Sequence, residues 1–209
     1  MVVGKLVERA ALEIKGKLAT AKCATFAEYV ARHGELKTYV KYQAPPNIHW
    51  DDDKYQGDAY GAFAWAAYVA EIAIDTATYE ATVTDFVAVQ EVGHVVHQVI
   101  AAGQIEGGVA QGIGYALYEN VQWKDGQMVN NQMTNYIMPT AADVPPIRVF
   151  FEERPYAYGP GGAKGIGELP MDGPAPAICN AIGNALGIAI DTIPATPEKL
   201  MEAMDAAAR

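Results

Sequence analysis

The stretch FAWAAYVAEIAIDTATYEATVTDFVAVQ, residues 63–90, decides the fold class. Phe63 to Ile74 is apolar and aromatic, and its end alternates Ile72 and Ile74 against Glu71 and Asp75. Asp75-Thr76-Ala77-Thr78 has turn chemistry, and Tyr79 to Gln90 is β-branched and half polar. Two such runs around a short polar break predict a β-hairpin. The first strand is apolar on both sides at its start, which predicts a central or covered position.

On both sides of this hairpin the period changes. Upstream, Leu6, Val7, Ala10, Ala11, Ile14 and Leu18 follow a helical rhythm, with Glu8, Glu13, Lys15 and Lys17 opposite. Thr25-Phe26-Ala27-Glu28 is a capping box for a second helix, and Gly34 is its stop signal. Lys37 to Gln43 reads as a short strand, and Ala44 to Gly57 as a polar loop carrying Asp51-Asp52-Asp53. Downstream, Gly103 to Asn120 reads as a helix, with Ile105, Val109, Ile113 and Leu117 on one face. Gly107, Gly108, Gly112 and Gly114 lie inside it. At about 1 kcal/mol each relative to Ala, they require close packing or a ligand near the backbone.

A hairpin turn at Lys124-Asp125-Gly126 and a strand over Ile147 to Glu153 follow. Ile178, Ile182 and Leu186 predict a helix with Pro176 near its start and Gly187 closing it. Ile188 to Ile190 reads as a short strand, and Thr196-Pro197-Glu198 opens a last helix. The expected class is α+β, with helices packed on a mostly antiparallel sheet.

Composition narrows the function. The 209 residues are 51% hydrophobic and 19% charged, enough to build a core, and the net charge is −10. Residues 1–54 hold nine basic and seven acidic side chains, whereas residues 55–209 hold six and 18. That balance argues against binding nucleic acid or an anionic membrane. Cys23 and Cys179 form neither a disulfide framework nor a zinc set and suit a reducing compartment. The start lacks the plan of a signal peptide, and the weakly polar run Ala59 to Ala70 has 12 residues, too few to span a bilayer. The expectation is a soluble, cytoplasmic protein.

Three segments could carry chemistry. Residues 159–168, GPGGAKGIGE, hold five glycines in ten positions. Glycine lets backbone N–H groups converge on a ligand. Lys164 is followed by Gly165, so this is not a P-loop, and the spacing is not that of a Rossmann turn. The loop ends in one carboxylate, Glu168, before Leu169-Pro170. A tight apolar setting disfavours a charged carboxylate, which suits a general base working near neutral pH; a solvated turn is the alternative. Gly103 to Gly108 reads as a loop entering a helix, with N–H groups free for an anion and Gln104 able to donate and accept; close helix packing is the alternative. Glu91, His94 and His97 have ligand-like spacing, but no second copy exists, and histidines at an interface are the simpler reading.

In sequence order these motifs resemble the molybdenum hydroxylases, the xanthine oxidase and aldehyde oxidoreductase family. Residues 103–117, GQIEGGVAQGIGYAL, are similar to that family's GQ[IV]EGGxxQGxGxAL segment, and residues 162–170, GAKGIGELP, to its GAKGxGExP loop. Ala175-Pro176-Ala177-Ile178 and Pro194-Ala195-Thr196-Pro197-Glu198-Lys199 resemble its closing helix and tail. The resemblance implies that Glu168 is the general base beside molybdenum. It implies that Gln104 hydrogen-bonds the pterin, and that Lys164, Gly165, Ile166 and Gly167 lie against the molybdopterin.

The implied reaction is hydroxylation of an aldehyde, purine or N-heterocycle with oxygen from water. The implied cofactor is molybdenum-molybdopterin, plain or as the cytosine dinucleotide. It is shared with a partner chain that forms the remaining molybdopterin-binding subunit, while Fe–S clusters and FAD reside on other subunits. Residues 1–209 would be the C-terminal part of that domain, with 1–57 a helical lead-in and loop and 58–209 the cofactor-contacting part. The chain departs from the family in Glu91-Val92-Gly93 and His97-Gln98, where Asp-Val-Gly and Asn-Pro are usual. A structural module that caps a partner subunit without catalysis is the alternative function.

Overall fold

The structure, a computed structural model, describes residues 1–208. The elements in order are α1 (Val2–Thr20), α2 (Phe26–His33), β1 (Trp50–Asp51), β2 (Gln56–Gly57), β3 (Trp65–Ile74) and β4 (Ala81–Glu91). There follow α3 (Gln98–Leu117), β5 (Trp123–Lys124), β6 (Gln127–Met128) and β7 (Ile147–Phe151). A short 3-10 turn (Pro160–Gly162), α4 (Leu169–Asp172), α5 (Pro174–Leu186) and α6 (Pro197–Ala207) complete the chain.

The hairpin is formed as expected, but β3 lies at the sheet edge with Trp65, Ala66 and Ala67 exposed, not central or covered as its apolar start suggests. Asp75 shapes the turn, one carboxylate oxygen accepting from the Ala77 N–H at 2.8 Å. β3 and β4 pair antiparallel from Trp65↔Glu91 to Ile74↔Ala81. The register shifts between Glu71, opposite Asp85, and Ile72, opposite Val83, so Thr84 is an extra residue on β4. This bulge reverses the facing phase. Ala81 and Val83 are buried before it, and Phe86, Ala88 and Gln90 after it. β7 then joins β4 in parallel, from Phe86↔Ile147 to Gln90↔Phe151, giving the order β3-β4-β7. The fold is α+β as expected, and its other strand pairs are antiparallel.

One sheet face carries the core. Phe86 and Ala88 belong to one buried cluster with Ile105, Val109 and Ile113 of α3, Ile178 and Ile182 of α5, and Leu200 of α6. Burying side chains of this size stabilises by about 1.5–3 kcal/mol each. The glycines of α3 permit its close contact with the following elements. A Cβ on Gly108 would stand 2.4 Å from Pro170 Cβ, and one on Gly112 would stand 2.7 Å from Pro174 Cβ. Close packing therefore offsets their helix cost. Gly103 and Gly107 face open space instead.

Several expectations need correction. α3 starts at Gln98, not Gly103, because the His97 imidazole caps it, accepting from the Ile100 N–H at 3.3 Å. Lys37 to Gln43 and Ile188 to Ile190 form no strand, since neither finds a pairing partner among the described residues. The apolar stripe of α1 is only partly covered: Leu6, Ala10, Ile14 and Leu18 are half-buried, and no residue of α1 is fully buried. The α2 capping box is present, with Thr25 Oγ1 accepting from Glu28 N at 3.2 Å. Among the described residues, no helix is long and apolar enough to cross a membrane.

Candidate functional site

The end of β4 and the glycine-rich loop are stitched together by backbone. Gly93 and Ala163 form an antiparallel bridge. His94 N–H donates to the Gly162 carbonyl at 2.9 Å, and Lys164 N–H to the Val92 carbonyl at 2.8 Å. Gly93 sits at φ +76°, and a Cβ there would lie 2.4 Å from the Gly162 oxygen. Only glycine fits this crossing without displacing a strand.

Side chains lock the same junction. The Lys164 ammonium pairs with the Glu91 carboxylate, both side chains being 12% exposed, and also donates to the Phe63 carbonyl at 2.9 Å. Glu91 accepts in addition from the Gly93 N–H at 2.9 Å. A pair so sheltered is costly to break, because the partner left behind remains charged and poorly hydrated. The Lys164 side chain is thus committed to the protein, and only its backbone and stem face the loop's outer side. Sequence reasoning placed Glu91 in a possible metal set and missed this role. The signal is nonlocal, across 73 positions.

The junction and α3 enclose a cleft of about 250 Å³, lined by His94, His97, Ile100, Gln104, Lys164 and Ile166 among others. The structure therefore brings together Gln104, Lys164 and Ile166. Gly165, Gly167 and Glu168 stand beside this cleft and do not line it. Gln104 is exposed in the second turn of α3, so the expected helix-start anion site at Gly103 to Gly108 is not formed; the interior N–H groups there are spent in the helix.

Glu168 stands at the N-cap of α4 and is exposed. The dry apolar surroundings expected for it are not built by this chain. Among the described residues, the backbone N–H groups of Gly165, Ile166, Gly167 and Glu168 have no acceptor. Gly165, Gly167, Gly103 and Gly107 all have open space where a Cβ would be. Unpaired N–H donors on a glycine-rich loop and an exposed amide are groups that can contact a polar ligand bearing anionic oxygens.

Glu91, His94 and His97 do not form a metal set. Glu91 turns to Lys164, His94 Nδ1 lies 2.7 Å from Glu153 Oε2, and His97 caps α3. Among the described residues no group of three such side chains could hold a metal. Asp51 shapes the β1–β2 turn, accepting from Asp53 N and Lys54 N at 3.1 Å each. Both cysteines are free thiols, and burial pushes that of Cys179 up.

Residues 3–145 match the family described as Molybdopterin cofactor-binding domain. This chain belongs to that family. It is 33% identical over 185 residues to the aldehyde oxidoreductase of Megalodesulfovibrio gigas, covering 87% of this chain and 20% of the relative. It is 35% identical over 141 residues to the xanthine dehydrogenase molybdenum-binding subunit of Escherichia coli O157:H7, covering 66% of this chain and 19% of that one. The crystal structure of the aldehyde oxidoreductase from Desulfovibrio desulfuricans superposes with a TM-score of 0.76 at 35% identity, over 85% of this chain and 19% of that one. The fold class agrees with that neighbour. The chain spans about a fifth of the length of these relatives.

Proposed function

We propose that this molybdopterin-binding family member supplies part of the cofactor pocket and the general base of a molybdenum hydroxylase acting on an aldehyde, purine or N-heterocycle. The observation that carries this reading is the junction of Val92–His94 with Gly162–Lys164, which brings the glycine loop alongside the helix bearing Gln104. Residues 58–209 would be the cofactor-contacting part and 1–57 the lead-in. Gln104 would offer its amide to the pterin edge. Gly165, Ile166 and Gly167 would present their free N–H groups, while Lys164, whose N–H is spent on Val92, would offer only its carbonyl. When bound, molybdenum-molybdopterin supplies two-electron redox chemistry. Glu168 would take up the proton released as a water-derived oxygen passes to the substrate carbon, then return it to solvent.

A partner would complete the site. The sheet face away from α3 and α5 exposes Trp65 (68%), Val69 (64%) and Phe150 (53%), an apolar surface of the kind that marks an interface. Glu168 in solvent would also gain its low-dielectric surroundings from that partner. The remaining molybdopterin-binding subunit is the proposed occupant, with Fe–S clusters and FAD on further subunits and the cofactor in plain or cytosine-dinucleotide form. Names of the relatives, an aldehyde oxidoreductase and a xanthine dehydrogenase, support the substrate classes without choosing among them.

Purification of the chain with its partners tests this reading. Molybdenum analysis and pterin fluorescence are expected to find the metal and the pterin in near-equal amounts with this chain. A complex free of both would favour the capping module instead.

A further inference from the structure

The Glu168 turn is held from behind by an aromatic side chain that the proposed reaction does not use. Tyr68, on β3, donates its hydroxyl to the Leu169 carbonyl at 2.6 Å, across 101 positions of sequence. Its ring fills the space above Gly173, where a Cβ would lie 2.1 Å from ring carbons Cδ2 and Cε2. Leu169 follows Glu168 directly, and Gly173 ends the short helix that Glu168 caps. Upstream, the Glu91–Lys164 pair fixes the loop four residues before Glu168. The span between the two anchors is the stretch whose N–H groups are unpaired.

Behind Tyr68 lies Gln90, 0% exposed, whose Oε1 and Nε2 have no hydrogen-bond partner. A buried amide in that condition costs free energy unless a neighbour can use it. Burial pushes the Tyr68 phenol above its ordinary value, and the adjacent Gln90 amide opposes that rise.

We propose that Tyr68 is a positioning residue for Glu168: hydroxyl on the Leu169 carbonyl and ring against Gly173, it fixes the turn from which the carboxylate projects. The catalytic part of this proposal rests on the proposed function; the hold on the turn does not. The side chain does not line the cleft and reaches Glu168 through the adjoining backbone.

The test compares Tyr68→Phe with Glu168→Gln in the assembled enzyme. Phe keeps the ring against Gly173 and removes only the hydroxyl. Hydrogen exchange over residues 168–172, including the Met171 amide that donates to the Glu168 carbonyl, is expected to quicken about tenfold, the scale of one lost hydrogen bond. Exchange in β3 and β4 is expected to stay as in the parent. Turnover is expected to fall roughly tenfold in kcat with KM within about twofold, as for a misaligned rather than absent base. Gly173→Ala, which drives the ring out, is expected to reproduce both effects.

Unchanged exchange in Tyr68→Phe overturns the proposal. So does parent-like kcat in Tyr68→Phe beside an inactive Glu168→Gln. Turnover that survives Glu168→Gln, with exchange still quickened in Tyr68→Phe, overturns the general-base reading and leaves the hold on the turn established.

Discussion

Glu168→Gln in the assembled enzyme is expected to lower kcat by about 10²–10⁴-fold, the usual contribution of a general base. The metal and pterin content should be unchanged. Gln matches Glu in shape, and in this structure the Glu168 carboxylate takes no hydrogen bond from any described residue. Nothing in this chain's own fold therefore depends on its charge, and in the chain apart from its partner the stability should shift by no more than about 0.5 kcal/mol, as for an exposed surface site. Steady-state kinetics, metal analysis and a melting curve check the three parts together. Turnover within about threefold of the parent would remove Glu168 from the reaction. Loss of cofactor with loss of activity would make it a binding residue.

Gly93→Ala is expected to be the most damaging small substitution at the junction. The backbone at φ +76° is disfavoured for Ala, and the added Cβ meets the Gly162 carbonyl oxygen at 2.4 Å and the Lys164 nitrogen at 2.9 Å. These contacts, and a third with the Ala163 carbonyl carbon at 3.1 Å, are all backbone, which cannot turn aside as a side chain can. The bridge between Gly93 and Ala163 must open, and with it the bonds from His94 to Gly162 and from Lys164 to Val92. Strain of this kind is expected to cost about 3 kcal/mol. For a chain of this length that lowers Tm by roughly 6–12 °C. The control is Gly165→Ala, which has open space and ordinary backbone and should leave the melting temperature near that of the parent. A Gly93→Ala protein melting within about 1 °C of the parent would contradict the tight crossing.

Much of the fold is legible in local pattern. The hairpin follows from β-branched runs around Asp75, the second helix from its capping box, and α5 from Ile178, Ile182 and Gly187. The start of α3 is not legible, because its cap is an imidazole, His97, rather than the usual Ser, Thr, Asp or Asn. The bulge at Thr84 and the parallel pairing of β7 depend on which strands meet, which no local window contains. Lys37 to Gln43 has strand composition without a partner, and composition alone cannot supply one.

The candidate site divides the same way. Gln104 and the glycine loop stand out as motifs, and the structure sets Gln104, Lys164 and Ile166 around one cleft. The side chains that hold the loop in place do not stand out. Glu91 reaches Lys164 over 73 positions, and Tyr68 reaches Leu169 over 101. Each looks like an ordinary strand residue until the fold brings its partner near. The low-dielectric setting expected for Glu168 is not built by this chain, whose described residues leave that side chain exposed.

The most direct test is a density map of the assembled enzyme with its cofactor. The account predicts the Glu168 carboxylate covered by the partner chain and facing the bound molybdenum cofactor, within hydrogen-bond reach of the reacting group at about 2.6–3.2 Å or through one water. A map showing that carboxylate in bulk solvent, with the pterin bound elsewhere, would contradict it.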